Sequence, residues 1–501
     1  MSNSLATPGV YIEEKSSFGS SVVPIQTALP AFVGYTKKAS RGSKSLINKP
    51  TKISSFGQFV ELFGNGPDIK FSIEANETSA QGFQLSFVNA SRYMLYNSIR
   101  LFYANGGADC YIVSVGVYGD EINADQLTGS KTGGGIASLE KYLEPTLLVI
   151  PDSVLLSKDD CYSTQAAMLS HCGYKMKNRF AILDVYNGDQ ERTFDENDVV
   201  NNFREGVGSN HLMWGAAYYP YIQSNIVKSS DLDFTSIENK EVLIEILNSE
   251  VDANLAAEII TEARAEGIKA EIAKINDATD ADAIKSLQST LKVVSPKING
   301  ILEDMQDMIN LMPPSAAMAG AYTMCDNAES VAKSPANISL GAVVSPSVDI
   351  NNDNQEELNL PLNGKAVNAI RSFAGKGVLV WGARTLDGNS QDFRYISVRR
   401  TMTFLEQSIK FAAEAFVFAP NNSTTWSTLR ATVSNFLNNQ WQSGLLAGNS
   451  PEDAYQIQIG LGSTMTSNDI LDGVLKMTVK VAITRPAEFI VITFEQLQQK
   501  S

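Results

Sequence analysis

His171 and His211 are the only imidazoles among 501 residues, and His171 stands beside Cys172. A Cys–His pair can hold a thiolate nucleophile next to its base, but neighbours on a helix point apart. Packing inside the protein is the competing role for His171 and Cys172, and His211, just ahead of a strand-like run, reads as structural. "GSKTGGG" (Gly129–Gly135) has the letters of a phosphate loop in the wrong order, with Lys and Thr before the glycines that would cradle the anion. "NGKAVNAIR" sets Ala366 after Gly364 and Lys365, so the hydroxyl that would meet Mg²⁺ is missing. "DATDAD" (Asp277–Asp282) lacks the glycine and the distal Glu of a calcium loop. "DSVLLSKDD" and "NDNQEEL" read as solvated turns. Cys110, Cys161, Cys172 and Cys325 show no CxxC spacing, so neither a zinc site nor a disulfide framework is expected. The reading is a protein that is not an enzyme and needs no metal or cofactor.

Composition agrees with a large folded chain. Hydrophobic residues make up 44% and charged residues 19%, ordinary values for a globular protein. A net charge of −15 excludes a general nucleic-acid binder, which needs clustered Lys and Arg against phosphate. No basic segment followed by an apolar one marks a signal peptide. No run approaches the roughly 18 apolar residues of a membrane helix. The expectation is a chain folded in the cytoplasm that reaches the outside, if at all, by another route.

The elements that would position any site alternate. "VPIQTALPAFVGYT" (Val23–Thr36), "CYIVSVGVY" (Cys110–Tyr118), "PTLLVIPD" (Pro145–Asp152), "RFAILDV" (Arg179–Val185) and "WGAAYYPYI" (Trp214–Ile222) read as strands. Helical runs lie near Asp160–Lys177 and Glu196–Gly206. Short apolar strands separated by helices predict an α/β layer with a largely parallel sheet. From Asn239 to Met312 the composition turns to Ala, Glu, Lys, Ile and Leu, which predicts a helical insertion. "SVDINNDNQEEL" (Ser347–Leu358) reads as a domain boundary. Beyond it come a strand at Gly377–Thr385, two amphipathic helices, and "KMTVKVAI", where Met477, Val479, Val481 and Ile483 alternate with polar positions as in a strand with one wet face.

Strand-like runs also occupy both extremities. "TPGVYIEEK" (Thr7–Lys15) centres on Val10, Tyr11 and Ile12, and "EFIVITFEQ" follows the breaker Pro486 with Phe489, Ile490, Val491, Ile492 and Phe494. A lone strand is unstable in water and its open edge invites another chain. Either the two ends pair inside one sheet, or each is lent to another molecule.

Several of these stretches, in order, resemble the contractile tail sheath proteins of phages, R-type bacteriocins and contractile injection systems. They are "TPGVYIEE", "AFVGYT", "GGADCYIVSV", "AAYYPYI", "PPSAAMAGAYTMCDNAESVAKSPAN" and "LNGKAVNAIRSFAGKGVLVWGARTL" with the following "FRYISVRRTMTFLEQSIKFAAEAFVFAPNNSTTWSTL". The resemblance is densest over Met1–Thr36 and Pro313–Ser501, moderate over Gly106–Ile222 and absent from Asn239–Met312. It implies an α/β (α+β) fold. An N-terminal arm (1–22) and a C-terminal sheath domain (347–501, with its own arm 486–501) form the inner part. An outward α/β domain (23–346) carries the helical insertion (239–312).

The resemblance further implies self-assembly into hexameric rings stacked helically around an inner tube, in a phage tail or phage tail-like particle. Baseplate and terminator proteins, and an assembly or disassembly ATPase, are implied partners; nucleic acid and membrane insertion are not. Val10–Ile12 and Phe489–Phe494 would be donated strands, and Met477, Val479, Val481 and Ile483 their acceptor sheet. Arg399, Arg400, Lys410 and Lys476 are the candidate contacts to the tube. A non-contractile shell or filament, and a cytoplasmic α/β hydrolase or transferase, are the alternatives.

Overall fold

The computed structural model describes residues 22–76 and 78–491. They divide into two compact units. The larger is Gln26–Thr403 with the described part of Arg485–Ser501, and the smaller is Phe404–Thr484 with the described part of Met1–Ile25.

The larger unit is built on a nine-stranded sheet. Its strands in chain order are β1 (Pro30–Thr36), β2 (Thr51–Ile53), β3 (Cys110–Val117), β4 (Leu147–Val149), β5 (Phe180–Asp184), β6 (Gly215–Tyr219), β7 (Ile338–Ser339), β8 (Asn368–Phe373) and β9 (Gly377–Trp381). Across the sheet they lie in the order β7-β9-β8-β6-β5-β4-β1-β3-β2. The six strands from β8 to β3 are parallel. β2 closes one side antiparallel, and β9 with β7 closes the other. The α/β class and the largely parallel sheet read from the alternation are therefore what forms.

Parallel strands covered by helices on both faces need unbroken apolar runs, and β1, β4, β5 and β6 are buried at every residue. Alternate side chains then feed two cores. Phe32 packs in one with Phe102, Ile112, Leu147, Phe180 and Tyr322. Ala31, Val33 and Tyr35 pack in the other with Val113, Leu148, Leu183, Met168 and Phe203. The first core is covered by the helices Leu95–Ala104 and Ser315–Ala328, the second by Lys158–Ser170 and Val199–Gly206. Burying each large apolar side chain stabilises the fold by roughly 1.5–3 kcal/mol, so the paired cores fix the register.

The expected insertion forms four helices, Lys240–Ala256, Glu262–Ala273, Ala281–Val294 and Pro296–Asn310. Asp280 caps the third through the amides of Asp282 and Ala283, and Ser295 caps the fourth, which starts on Pro296. The insertion is tied to a small hairpin by Asn239, whose side-chain amide bonds both the N–H and the carbonyl of Ile73, at 3.0 and 2.7 Å.

The smaller unit packs the helix Ser423–Gln442 against a two-stranded ribbon, β10 (Tyr455–Ile459) and β11 (Met477–Val481). Leu429, Val433, Phe436 and Leu437 of that helix are buried with Phe404, Leu445, Leu446 and Ile459.

The units divide after Thr403, not at the border expected near 347. The reason is pairing: β8 joins β6 with Asn368 opposite Tyr218, and β9 folds back on β8. The polar run Ser347–Leu358 is no linker; most of its second half is the helix Asn352–Asn359, capped by Asn351, in the larger unit. Phe489–Val491, expected to begin a strand, adopt no regular structure. Val10, Tyr11, Ile12, Ile492 and Phe494 lie outside the described residues.

Two glycines make the packing testable. A Cβ on Gly34 would sit on Asp152 Oδ2 and 3.1 Å from Leu95 Cβ. A Gly34→Ala chain should lose about 2–3 kcal/mol in urea unfolding. A Cβ on Gly300, inside a helix, meets nothing within 4 Å, so Gly300→Ala should gain about 1 kcal/mol.

Candidate functional site

In an open parallel sheet the ligand site lies beyond the carboxyl ends of the strands, where the strand order reverses. Here that point is between β1 and β4, since the chain runs from β1 outward to β3 and then returns past β1 to β4. The position is filled by the protein's own carboxylate. Asp152, fully buried, accepts hydrogen bonds from the N–H groups of Tyr35 (2.9 Å), Met94 (2.7 Å) and Leu95 (3.2 Å). Met94 and Leu95 open the helix Leu95–Ala104, so the side chain occupies the anion site that a helix start provides. Asp184 repeats the device at the end of β5, accepting from Ser315 N at 2.8 Å where the helix Ser315–Ala328 begins. Burial pushes Asp152 up to about 6 against the pull of its three N–H donors, and Asp184 up to about 7 against the Ser315 bonds.

The candidates for chemistry are placed apart from this crevice or locked into packing. His171 is buried with Nε2 3.1 Å from Arg179 Nη1. Burial, then the Arg179 charge, pushes the imidazole down to about 3, while burial pushes the Cys172 thiol up to about 12. A neutral imidazole held by an arginine, beside a protonated thiol, is not a nucleophile and its base. His211 takes a left-handed backbone (φ 58) with its ring near Tyr174. The Gly129–Gly135 loop turns back on Asn48, whose side chain accepts from Gly135 N at 2.9 Å. Lys365 donates to the carbonyl of Arg204. Among the described residues no three His, Cys, Asp or Glu groups gather as a metal site, and no helix is long and apolar enough to cross a membrane. All four cysteines are buried and unbridged.

What remains open is main chain. β10 and β11 pair antiparallel from Tyr455↔Val481 to Ile459↔Met477, and among the described residues neither has a second partner strand. Along β11, Met477, Val479 and Val481 are half-buried while Thr478 and Lys480 are exposed, the alternation read from the sequence. Ile483 leaves the ribbon to bridge Leu446. One side of β10 is occupied by the helix Ser423–Gln442, through Arg430 Nη2 to the Ile459 carbonyl (2.7 Å) and a Ser434–Tyr455 hydroxyl contact (3.2 Å). A two-stranded sheet is marginal in water. In the larger unit, the chain's described end exposes three consecutive apolar residues: Phe489, Ile490 and Val491 are 68%, 79% and 89% exposed.

The tube-facing candidates separate. Arg399 and Arg400 do not face solvent; both are buried. Arg399 lies between the rings of Trp214 (4.3 Å) and Phe393 (4.5 Å). Arg400 pairs with buried Asp326 at 2.6 and 2.9 Å, donates to the Thr27 carbonyl at 3.0 Å and lies over the Tyr322 ring. The helix Ile396–Glu414 turns its first residues inward, so two cations expected to contact the tube are interior groups. Lys410 and Lys476 are exposed on the smaller unit, Lys476 in an ion pair with Asp469 at 2.5 Å. Sequence reasoning passed over Asp184 and Asp326, and it placed Asp152, the first residue of "DSVLLSKDD", in a solvated turn, whereas the side chain is fully buried. The only sign of Asp152 and Asp184 was an aspartate ending an apolar strand.

The switch-point carboxylate predicts a pH signature. A folded value near 6 above the ordinary 3.8 means the contribution of Asp152 is complete below about pH 4 and lost as pH rises through about 6. The difference contributes on the order of 3 kcal/mol. The urea stability gap between the native chain and Asp152→Asn should therefore widen as pH falls from 7 to 4; a constant gap would contradict the assignment.

Comparison with known proteins bears on the open ribbon. No curated protein sequence matches the chain. Residues 389–496 match the phage tail sheath C-terminal domain family. The anti-feeding prophage helical sheath in its contracted state aligns at 27% identity and TM-score 0.61, over 98% of this chain and 99% of its own. The sheath complex of an extracellular contractile injection system, PVC, also contracted, aligns at 26% and 0.59, over 99% of each chain. A chain of the anti-feeding prophage baseplate aligns at 27% and 0.60, over 98% and 99%. With its α/β sheet and this likeness along the whole length, the chain is similar in sequence and fold to contractile tail sheath proteins, and its residues 389–496 carry the match to their C-terminal domain.

Proposed function

We propose that copies of this chain stack as hexameric rings around an inner tube and shorten to drive that tube through a target envelope. The observation that carries the reading is the unmatched ribbon β10–β11 in a chain that also exposes Phe489–Val491. Each feature needs a partner strand. A neighbouring copy supplies both: its terminal strands, Val10–Ile12 and Phe489–Phe494, add to the ribbon at Met477, Val479 and Val481 by β-augmentation.

The energetics suit a machine that must stay joined while it rearranges. Each donated main-chain bond contributes roughly 0.5–1.5 kcal/mol net. Several strands per copy, repeated along a cylinder, give strong avidity without any one tight contact. The folded units then move while the mesh holds. Energy stored during assembly is released when rings collapse into a wider, shorter lattice, and firing needs no nucleotide. Exposed Lys410 and Lys476 are the remaining candidates for a reversible, polar contact with the tube. Baseplate association follows the likeness to the baseplate chain; terminator proteins and an ATPase complete the proposed set.

Deleting Met1–Ser16 tests the exchange. The variant should stay soluble and melt as the native chain does, yet build no tubes in negative-stain images, whereas the native chain with its tube protein should give long-thin and short-wide particles. Normal sheaths from the deletion would overturn strand exchange. A single unchanging diameter from the native chain would favour a non-contractile shell.

A further inference from the structure

The exposed apolar run begins immediately after a side chain that is held with unusual force. Glu488 Oε1 and Oε2 accept from Arg384 Nε and Nη2, at 2.9 and 2.6 Å. Asn359 Nδ2 donates to Oε1 at 2.8 Å and the Tyr395 hydroxyl to Oε2 at 3.1 Å. The Arg384 side chain is 2% exposed and that of Glu488 17%. One residue later, Phe489 is 68% exposed. A two-pronged arginine–carboxylate pair in so dry a place, with both remaining lone-pair directions answered, is a strong and directional contact.

The far side of the clamp is the sheet itself. Arg384 N donates to Asn368 Oδ1 at 2.8 Å, and Asn368 Nδ2 donates back to the Arg384 carbonyl (2.8 Å) and to the Ala217 carbonyl (3.1 Å). Asn368 opens β8 and Ala217 lies in β6. Two residues therefore connect Glu488 to the middle of the nine-stranded sheet. Burial alone would raise the Glu488 carboxyl, but the Arg384 and Asn359 hydrogen bonds outweigh it and hold it below the ordinary range, so Glu488 is ionised at neutral pH.

We infer that Glu488 is the fixed root of the C-terminal strand: the residues beyond it are lent to a second copy of this chain, while its carboxylate, gripped by Arg384, Asn359 and Tyr395, passes the load on that strand into its own β-sheet. The inference rests on strand exchange as proposed above. Without an anchor, tension on the donated strand would peel the chain back along Arg485–Ala487, none of which is buried. With one, the tension ends at a buried ion pair.

Three chains separate the anchor from the exchange: Glu488→Gln, Tyr395→Phe, and a truncation lacking residues 489–501. Each is assembled on the inner tube, passed through a narrow needle, and its broken ends per length of sheath are counted in negative-stain images. Glu488→Gln should assemble but break at least fivefold more often than the native sheath, and Tyr395→Phe, which loses one of the four bonds, about twofold more often. The truncation should build no sheath. Truncated chains forming full-strength sheaths would overturn strand donation, and the anchor with it. Absent sheaths from the truncation, with Glu488→Gln sheaths as strong as native ones, would overturn the anchor alone. Should Glu488→Gln fail to fold, Tyr395→Phe decides by the same count, and breakage equal to native sheath overturns the anchor.

Discussion

A β-strand carries its hydrogen-bonding groups along two edges, and each edge must be answered by another strand, by a side chain or helix, or by water. Two of the five sheets among the described residues, the nine-stranded one and the ribbon β10–β11, answer that demand in opposite ways. The nine-stranded sheet ends at one side in the three residues Thr51–Ile53 and at the other in the two residues Ile338–Ser339, strands too short to recruit a partner. The ribbon Tyr455–Ile459 with Met477–Val481 ends at once, after a single pairing. The first sheet ends in very short strands and the second has no further partner strand among the described residues, and the proposed mesh of copies rests on that difference.

The same economy governs buried charge. At two helix starts near the carboxyl ends of parallel strands the chain itself supplies the anion that the unmatched N–H groups attract: Asp152 for the helix at Leu95, Asp184 for the helix at Ser315. In a doubly wound enzyme that crevice is where a cofactor sits. Here the volume belongs to the core. Arg400 with Asp326, and Arg384 with Glu488, extend the pattern of closed internal pairs. Breaking one member of such a pair strands a charge in an apolar interior, so these contacts are rigid points about which looser parts can be moved.

How much of this was legible follows from how local each signal is. Runs such as "PAFVGYT" and "FAILD" are apolar throughout because both faces are covered, and that shows in the letters alone. The Ala- and Glu-rich stretch gave the insertion for the same reason, and the alternation of Met477, Val479 and Val481 gave the ribbon strand. Arg399 and Arg400 read as surface because nothing in their neighbourhood reveals Asp326, which is distant in sequence, or the Trp214 and Phe393 rings. The border after Thr403 was missed since the pairing of β8 onto β6 joins residues far apart in the chain. Glu488 hid in plain view, a lone acid at the head of an apolar run whose partners Arg384, Asn359 and Tyr395 meet only in the fold.

The four thiols give the molecule a further property. Each is sequestered, and burial pushes Cys110, Cys161 and Cys172 to about 12 and Cys325 to about 11. Almost no thiolate exists at neutral pH, and it is the thiolate that reacts with oxidants and other sulfurs. Burial therefore shields all four thiols of this chain from oxidants and from disulfide exchange.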